Sequence, residues 1–377
     1  MPTWDVHFEM HVDTTAPDIV AASAKVEALA AVIRDIPIPP GVQARIDALN
    51  ILRAVRGTTG IEGIELSEDE VERVIAAPPK KRTLAEGRER EEQEVRNAAE
   101  VMHFVAETIR GDPSTPLTET LICRIHELTT AEIGYANNRP GYYREHAVST
   151  GTYVPPRTGE AVRAKMRQFI EWFNEGPPRS WSASVRAIVA HFYVVSIHPF
   201  GDGNGRTARA VESLLLYQGQ INARGFYSLS NFYYRNRTDY VTLLDRVRFE
   251  TDGDLTPFVR FALTGLVSEL AGVHQAVIAE VKIIAFRDYA REELMELGKL
   301  GTKPGERMYK FLLGLAEERV VSLTELRKGR HWLSEFYRRV TPKTLSRDLN
   351  FLRTHNLIII DGDEIRANLN LMDEFVP

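Results

Sequence analysis

The amino-acid sequence predicts a mainly α protein in three parts: an N-terminal helical segment over residues 1–112, a helical core over 113–298 and a small module over 299–377. Three observations carry that prediction. Apolar residues recur at helical rather than alternating spacing through most of the chain. The intervals between those stretches hold helix punctuation, such as Pro37-Ile38-Pro39-Pro40 and Gly111-Asp112-Pro113. Strand-like composition is confined to residues 134–158 and 357–369.

Taken in order, residues 17–34 and 41–56 read as helices on either side of the proline run. Ser67-Glu68-Asp69-Glu70 has the form of a capping box and starts a helix to about Ala77, stopped by Pro78-Pro79. Residues 84–110 form a long charged helix, with Glu86 to Glu94 reading as a solvated face. A second helical block follows at 117–131, 159–175, 182–197, 204–218 and 238–249. The interruption at 134–158, with its Gly, Thr, Tyr and Val content, suits a β-hairpin. Tyr142, Tyr143 and Arg144 read there as packing residues. Residues 254–297 give one or two long helices, and Gly301-Thr302-Lys303-Pro304-Gly305 reads as a linker. Helical segments near 306–318, 322–328 and 342–355 precede strands at 357–360 and 365–369 around Asp361-Gly362-Asp363, which is the order of a winged helix.

Composition narrows the function classes. A net charge of −5 argues against a polybasic surface over the whole chain. The single cysteine, Cys123, permits no internal disulfide, and no Cys/His grid exists for structural zinc. The first residues lack a basic and then apolar leader, and no run approaches 18 consecutive apolar residues. The expectation is a cytoplasmic protein with no membrane segment.

The chemistry concentrates in Ser196-Ile197-His198-Pro199-Phe200-Gly201-Asp202-Gly203-Asn204-Gly205-Arg206-Thr207-Ala208-Arg209. An apolar helix breaks at Pro199, and a glycine-rich loop leads into a new helix. Gly203 and Gly205 allow close backbone approach, and the free N–H groups of the helix start make an anion site. Arg206 and Arg209, three apart, share a helix face and can reach one anion. Asp202 offers a hard oxygen suited to Mg²⁺ beside phosphates. His198 is suited to removing a hydroxyl proton near neutrality. No Walker loop is present.

This run resembles the signature of the Fic family, His-Pro-Phe-x-x-Gly-Asn-Gly-Arg-x-x-Arg, with every fixed position met. The resemblance extends over roughly residues 40–265. It implies an all-α core that transfers AMP from ATP to a Ser, Thr or Tyr hydroxyl of a target protein. On that reading His198 is the general base and Asp202 holds Mg²⁺. Gly203, Asn204 and Gly205 form the anion nest, Arg206 clamps the phosphates, and Arg209 pairs with the γ-phosphate. Phe200 is a core anchor. The sister branch that moves a γ-phosphate has Lys where this sequence has Gly205, which favours nucleotidyl transfer. The 134–158 hairpin resembles the family's flap, which pairs with a target strand. There Thr150, Gly151, Thr152 and Tyr153 would touch nucleotide or target, and Tyr240 would flank the base.

Thr58-Thr59-Gly60-Ile61-Glu62-Gly63 matches the family's inhibitory pattern Ser/Thr-x-x-x-Glu-Gly/Asn, with Ile64 where relatives commonly have Asn. The resemblance implies a bidentate pair between Glu62 and Arg209 that competes with the γ-phosphate. In some relatives this glutamate supports AMP removal, so the reverse reaction stays open. Auto-modification and a homodimer are further expectations of the family. The tail supplies another class of reading. From Arg327 to His355 eight Lys/Arg face two acids, which suits either a DNA-binding regulator or a protein-docking module.

Overall fold

The computed structural model describes residues 5–9, 11–78, 81–221, 228–251 and 253–375. Pro79, the second residue of the expected stop, lies outside the described residues. The helices are α1 (Pro17–Asp35), α2 (Pro40–Ile61), α3 (Glu68–Ala76), α4 (Glu89–Gly111), α5 (Glu119–Thr129), α6 (Gly159–Glu175), α7 (Ala183–Ile197), α8 (Asn204–Gln218), α9 (Ser230–Arg235), α10 (Arg237–Phe249), α11 (Thr256–Glu296), α12 (Lys303–Glu318), α13 (Leu323–Arg327) and α14 (Pro342–Thr354). The strands are β1 (Val321–Ser322), β2 (Ile358–Asp361) and β3 (Glu364–Ala367).

The chain divides into two compact units, Met1–His274 and Gln275–Pro377. The division expected at 112 falls inside the first unit, because α4 packs against both α5 and α8. An N-terminal segment that buries its apolar face on the core is part of that core.

At the centre of the first unit is α7, whose sequence ASVRAIVAHFYVVSI is apolar nearly all round. Such a helix must be enclosed, and Ile188, Val189, Phe192, Tyr193, Val194 and Ile197 are fully buried. The helix packs on α8, α6 and α1. The N-terminal chain closes one side: Phe8 stacks on Tyr193 and Phe169, and Tyr193 donates to the His7 carbonyl. By length and composition α11 could cross a bilayer. Its first half is instead core, with Phe258, Val259, Ala262, Leu263, Leu266 and Leu270 buried.

In the first unit α2 and α4 depart from their expected bounds, for tertiary reasons, and α9 is an unexpected addition. Glycine and threonine are weak helix formers, so 57–61 reads as a helix end, yet α2 runs through to Ile61. What holds this turn is close packing on α9. A Cβ on Gly57 would lie 2.6 Å from the Asn231 backbone, and one on Gly60 would lie 2.5 Å from the Tyr234 ring. The helix then ends in a Schellman arrangement. Gly63, at φ +93°, donates its N–H to the Gly60 carbonyl, and Ile64 donates to Thr59. The second departure is α4, which starts at Glu89 rather than 84. The solvated-face reading of its acids fails at Glu92 and Glu94, which are buried. Glu92 accepts the N–H groups of Thr83 and Leu84, so these residues close the approach to α4 instead of joining it.

The 134–158 segment forms only a minimal hairpin. Thr150 and Tyr153 exchange both backbone hydrogen bonds at 3.0 Å around Gly151 (φ +58°) and Thr152. Its remaining order comes from Arg144, buried and donating to three carbonyls, those of His198, His146 and Pro156, at 2.6–2.8 Å.

In the second unit the expected helices and strands are present with β1 added, but the expected linker at 301–305 is the start of α12, which Thr302 caps by accepting the Gly305 N–H at 3.1 Å. The sheet order is β1-β3-β2, antiparallel, with Val321 opposite Ile365 and Ile360 opposite Ile365 from the other side. The second half of α11 joins α12, α13 and α14 around Phe286, Leu294, Phe311, Leu315, Leu326, Leu333, Leu352 and Leu357. Asp348, counted among the acids of the basic stretch, is buried and paired to Arg307 at 2.6 Å.

The close approach at Gly57 gives a direct test. Gly57→Ala should destabilise the first unit by about 1–3 kcal/mol in denaturant unfolding, since overpacking outweighs the gain in helix propensity. Gly41→Ala, where a Cβ meets nothing within 4 Å, should be neutral or stabilising.

Candidate active site

His198 follows the last residue of α7 in the left-handed region, φ 50° and ψ 59°, and donates its N–H to Val194. This turn swings the imidazole away from the helix axis. Its Nδ1 faces the Val195 carbonyl at 3.3 Å, so Nδ1 carries the proton and Nε2 is left as an acceptor. Burial, with Arg144 and Arg248 nearby, lowers the His198 pKa to about 4. At neutral pH the ring is therefore uncharged, with Nε2 free to take a proton.

The loop after His198 is fixed by its own side chains. Asn204 accepts from the Phe200 N–H at 2.8 Å and donates to the Phe200 carbonyl at 2.9 Å. It thus locks the loop with its side chain, while its backbone N–H stays in the first turn of α8, where the resemblance places the nest. Phe200 is buried as expected and stacks on His126, with centroids 3.6 Å apart. His126 accepts the Gly141 N–H at Nδ1 and donates from Nε2 to the Asp202 carbonyl. Burial, with Arg206 nearby, lowers its pKa to about 4 as well.

Asp202 Oδ1 accepts the Gly203 N–H at 2.5 Å, so that donor is not open to an external anion. Gly203 itself sits at φ +74°. The open donors of the nest belong to the first turn of α8, at Asn204, Gly205 and Arg206. The Glu62 carboxylate lies over this turn: a Cβ on Gly205 would come within 2.6 Å of Glu62 Oε1 and 3.1 Å of Arg209 Nη1. Glycine is required there so that a carboxylate can approach the helix start.

Arg209 is 1% exposed. Its Nε donates to Thr58 Oγ1 at 2.9 Å, and its Nη2 donates to the Thr58 carbonyl at 3.0 Å and to Glu62 Oε1 at 2.6 Å. The pair is therefore single-oxygen, correcting the expected bidentate form, because Thr58 takes the other guanidinium direction. Thr58 and Glu62 stand one turn apart on α2 and Gly63 ends the helix, which accounts for the spacing of the motif. Arg237 fixes the same end by donating to the Ile61 carbonyl at 2.9 Å. Burial alone would raise the Glu62 pKa, but Arg209, with Arg206 and His198, holds it below the usual carboxylate value.

Arg206 is engaged from another side. Its Nη1 donates to Glu94 Oε2 and Tyr135 Oη, each at 2.8 Å, and its Nη2 donates to Asp202 Oδ1 at 3.1 Å. Sequence reasoning missed Glu94 and Tyr135. Glu94 falls in a charge run and Tyr135 in a loop, and neither spacing points to Arg206.

Two expected nucleotide contacts are turned inward. Tyr153 is buried, donating to the Ser196 carbonyl with Arg248 4.3 Å over its ring. It anchors the flap and is not presented by it. Tyr240 is buried, with its hydroxyl 2.9 Å from His191 Nε2, and its ring stacks on Tyr233. It forms part of the floor below the site. Gly151 and Thr152 are exposed at the turn, and Thr152 donates to Asp245 at 3.3 Å.

No group of three or more His, Cys, Asp or Glu side chains able to hold a metal occurs among the described residues. The donor set nonetheless fits Mg²⁺ held with a nucleotide, an ion that takes one or two carboxylates and completes its shell with phosphates and water. Asp202 is half-exposed, and its Oδ2 carries no hydrogen bond from the described residues.

Residues 116–216 match the Fic/DOC family. The chain is 33% identical over 144 residues to the protein adenylyltransferase Fic of Drosophila willistoni, covering 38% of this chain and 27% of that protein. It is 31% identical over 172 residues to the protein of the same name from Nematostella vectensis, covering 45% of this chain and 37% of the relative. The chain thus matches about a quarter to about a third of the length of these relatives. Fic-1 from C. elegans superposes with a TM-score of 0.57 at 21% identity, over 71% of this chain and 74% of that one. A Fic family protein from Desulfovibrio desulfuricans superposes with a TM-score of 0.53 at 19% identity, over 97% and 98%. These likenesses are of fold.

The two depressed histidines set a pH dependence. Unfolded, each titrates near 6.5; folded, each titrates near 4. Between these values the unfolded chain binds more protons, so their contribution is complete above 6.5 and is lost as pH falls towards 4. Melting temperature should drop over that window, and His126→Gln should reduce the slope.

Proposed function

We propose that this chain, which carries a Fic domain, is a protein adenylyltransferase held in check by its own Glu62. The carrying observation is the pairing of a neutral, Nε2-free His198 with an anion-binding helix start now covered by a carboxylate. An apolar ligand would gain nothing there. A polyphosphate would take the place of the Glu62 carboxylate on the α8 first turn and on Arg209.

In the reaction the acceptor hydroxyl oxygen attacks the α-phosphorus of ATP, and His198 Nε2 takes the hydroxyl proton. The bond from the α-phosphorus to the bridging oxygen breaks, pyrophosphate leaves, and His198 returns its proton to solvent. Asp202 would hold Mg²⁺, and the ion would supply neutralisation of phosphate charge. The rest is positioning and charge stabilisation, which phosphoryl-type chemistry chiefly requires. The exposed turn at Gly151 and Thr152 is where a target segment would lie along the flap. A target protein with a free Ser, Thr or Tyr hydroxyl is the partner.

The brake follows from competition for Arg209. Hydrogen bonds to charged groups contribute roughly 1.5–3 kcal/mol, which corresponds to about 10- to 150-fold. In transfer of α-³²P from ATP with Mg²⁺ in a host lysate, Glu62→Gly should raise labelling by about 10- to 100-fold, and adding His198→Ala should abolish it. Label that is unchanged or lower in a folded Glu62→Gly variant would sink the brake. If that variant loses AMP from a modified target more slowly than wild type does, removal is the principal reaction. ATP should also raise the melting temperature of Glu62→Gly more than that of wild type, because Arg209 is left with a vacant anion position.

We read the second unit as a winged helix. Lys343, Ser346, Arg347, Asn350 and Arg353 lie exposed on α14 with no acid among them. That face supports a second role in binding duplex DNA. Salt-dependent retention of the full chain on duplex DNA, lost in Lys343→Glu with Arg347→Glu, is the expected result.

A further inference from the structure

The two arginines of the α8 start are each met by a carboxylate from an N-terminal helix, but the two partnerships differ. Glu62 uses one oxygen on Arg209, and its side chain is 35% exposed. Glu94 is 5% exposed and uses both oxygens: Oε2 accepts from Arg206, and Oε1 accepts from Tyr135 at 2.8 Å and from Arg90 at 3.0 Å. Tyr135 closes the triangle by accepting from Arg206. A carboxylate bonded in this way cannot leave without stranding a buried cation. Glu94 is a permanent partner, and Glu62 is a displaceable one.

The other end of Arg206 reaches Asp202 Oδ1, the same oxygen that takes the Gly203 N–H. Two donors fix that oxygen and thereby the plane of the carboxylate, leaving Oδ2 open. With Glu94 and Asp202 both upon it, Arg206 has its charge balanced within the protein; both terminal nitrogens are engaged, and Nε, the donor left without a partner among the described residues, is buried.

We propose that Glu94 and Tyr135 hold Arg206 as a strut whose task is to orient Asp202 for the divalent cation. Arg206 is then a positioning residue that acts through Asp202, in place of the phosphate clamp implied by the family resemblance. The proposal rests on the reading of Asp202 as the cation ligand. It places the determinant of cation affinity on α4 and the loop after α5, outside the motif.

The test uses the full chain with Glu62→Gly in every variant, so that the brake is constant. Mn²⁺ binding to the ATP complex is followed by electron paramagnetic resonance, and ATP binding in EDTA by calorimetry. Glu94→Gln should weaken Mn²⁺ about tenfold or more, as loss of an outer partner of a metal ligand does. Tyr135→Phe removes a single hydroxyl, is expected to fold, and should weaken Mn²⁺ less in the same direction. ATP affinity in EDTA should stay within about twofold for both. Unchanged Mn²⁺ affinity in folded variants overturns the strut. Equal losses with and without the cation overturn it too, because Arg206 would then clamp phosphate directly. Asp202→Asn separates the two levels: if it leaves Mn²⁺ affinity intact, the assignment of Asp202 fails and the strut fails with it.

Discussion

The structure around the site depends on one constraint: two guanidinium groups are buried a turn apart at the start of one helix. Buried cations need partners, and α8 supplies none on that face. The N-terminal helices supply them, with Thr58 and Glu62 from α2 for Arg209 and Glu94 from α4 for Arg206. This is why α2 and α4 belong to the same compact unit as α7 and α8. The helices that cover the site also neutralise it.

The loop between α7 and α8 shows the same economy. Asn204 ties the loop to itself, His126 supports it through a ring and a backbone carbonyl, and Arg144 pins it to the flap through three carbonyls. None of these groups has to touch a substrate. Their work is to keep His198 in the left-handed conformation and the first turn of α8 open, and both are costly to maintain in a flexible chain.

Much of this was legible in the sequence, for a physical reason. The spacing from His198 to Arg209 is local, so a helix break, a glycine loop and a helix start can be read from adjacent residues. The Thr58–Glu62 motif is legible for the same reason, being one helical turn closed by Gly63. Long-range pairs left no such signal. Glu94 sits among acids on an amphipathic helix and resembles its exposed neighbours until Arg206 arrives from 112 residues away. Spacing alone does not say that Tyr153 and Tyr240 are buried beneath the site, because an aromatic ring near a site can face the cleft or the floor, and only packing decides. The last turn of α2 was cut short because Gly57 and Gly60 lower helix propensity, whereas close approach to α9 is what they provide.

On the proposed reading, the contrast between Glu62 and Glu94 would let one site be both assembled and restrained. A fully buried, doubly bonded carboxylate adds rigidity, since removing it exposes a charge to low dielectric. A carboxylate that is one-third exposed regains water when it leaves, whereas Arg209, 1% exposed, keeps Thr58 and needs an incoming anion in the carboxylate's place. On that reading the restraint would yield to an anion that replaces the carboxylate. It lies within reach of any ligand or partner that favours the freed state by a few kcal/mol, and its release leaves the Glu94–Arg206–Asp202 frame standing.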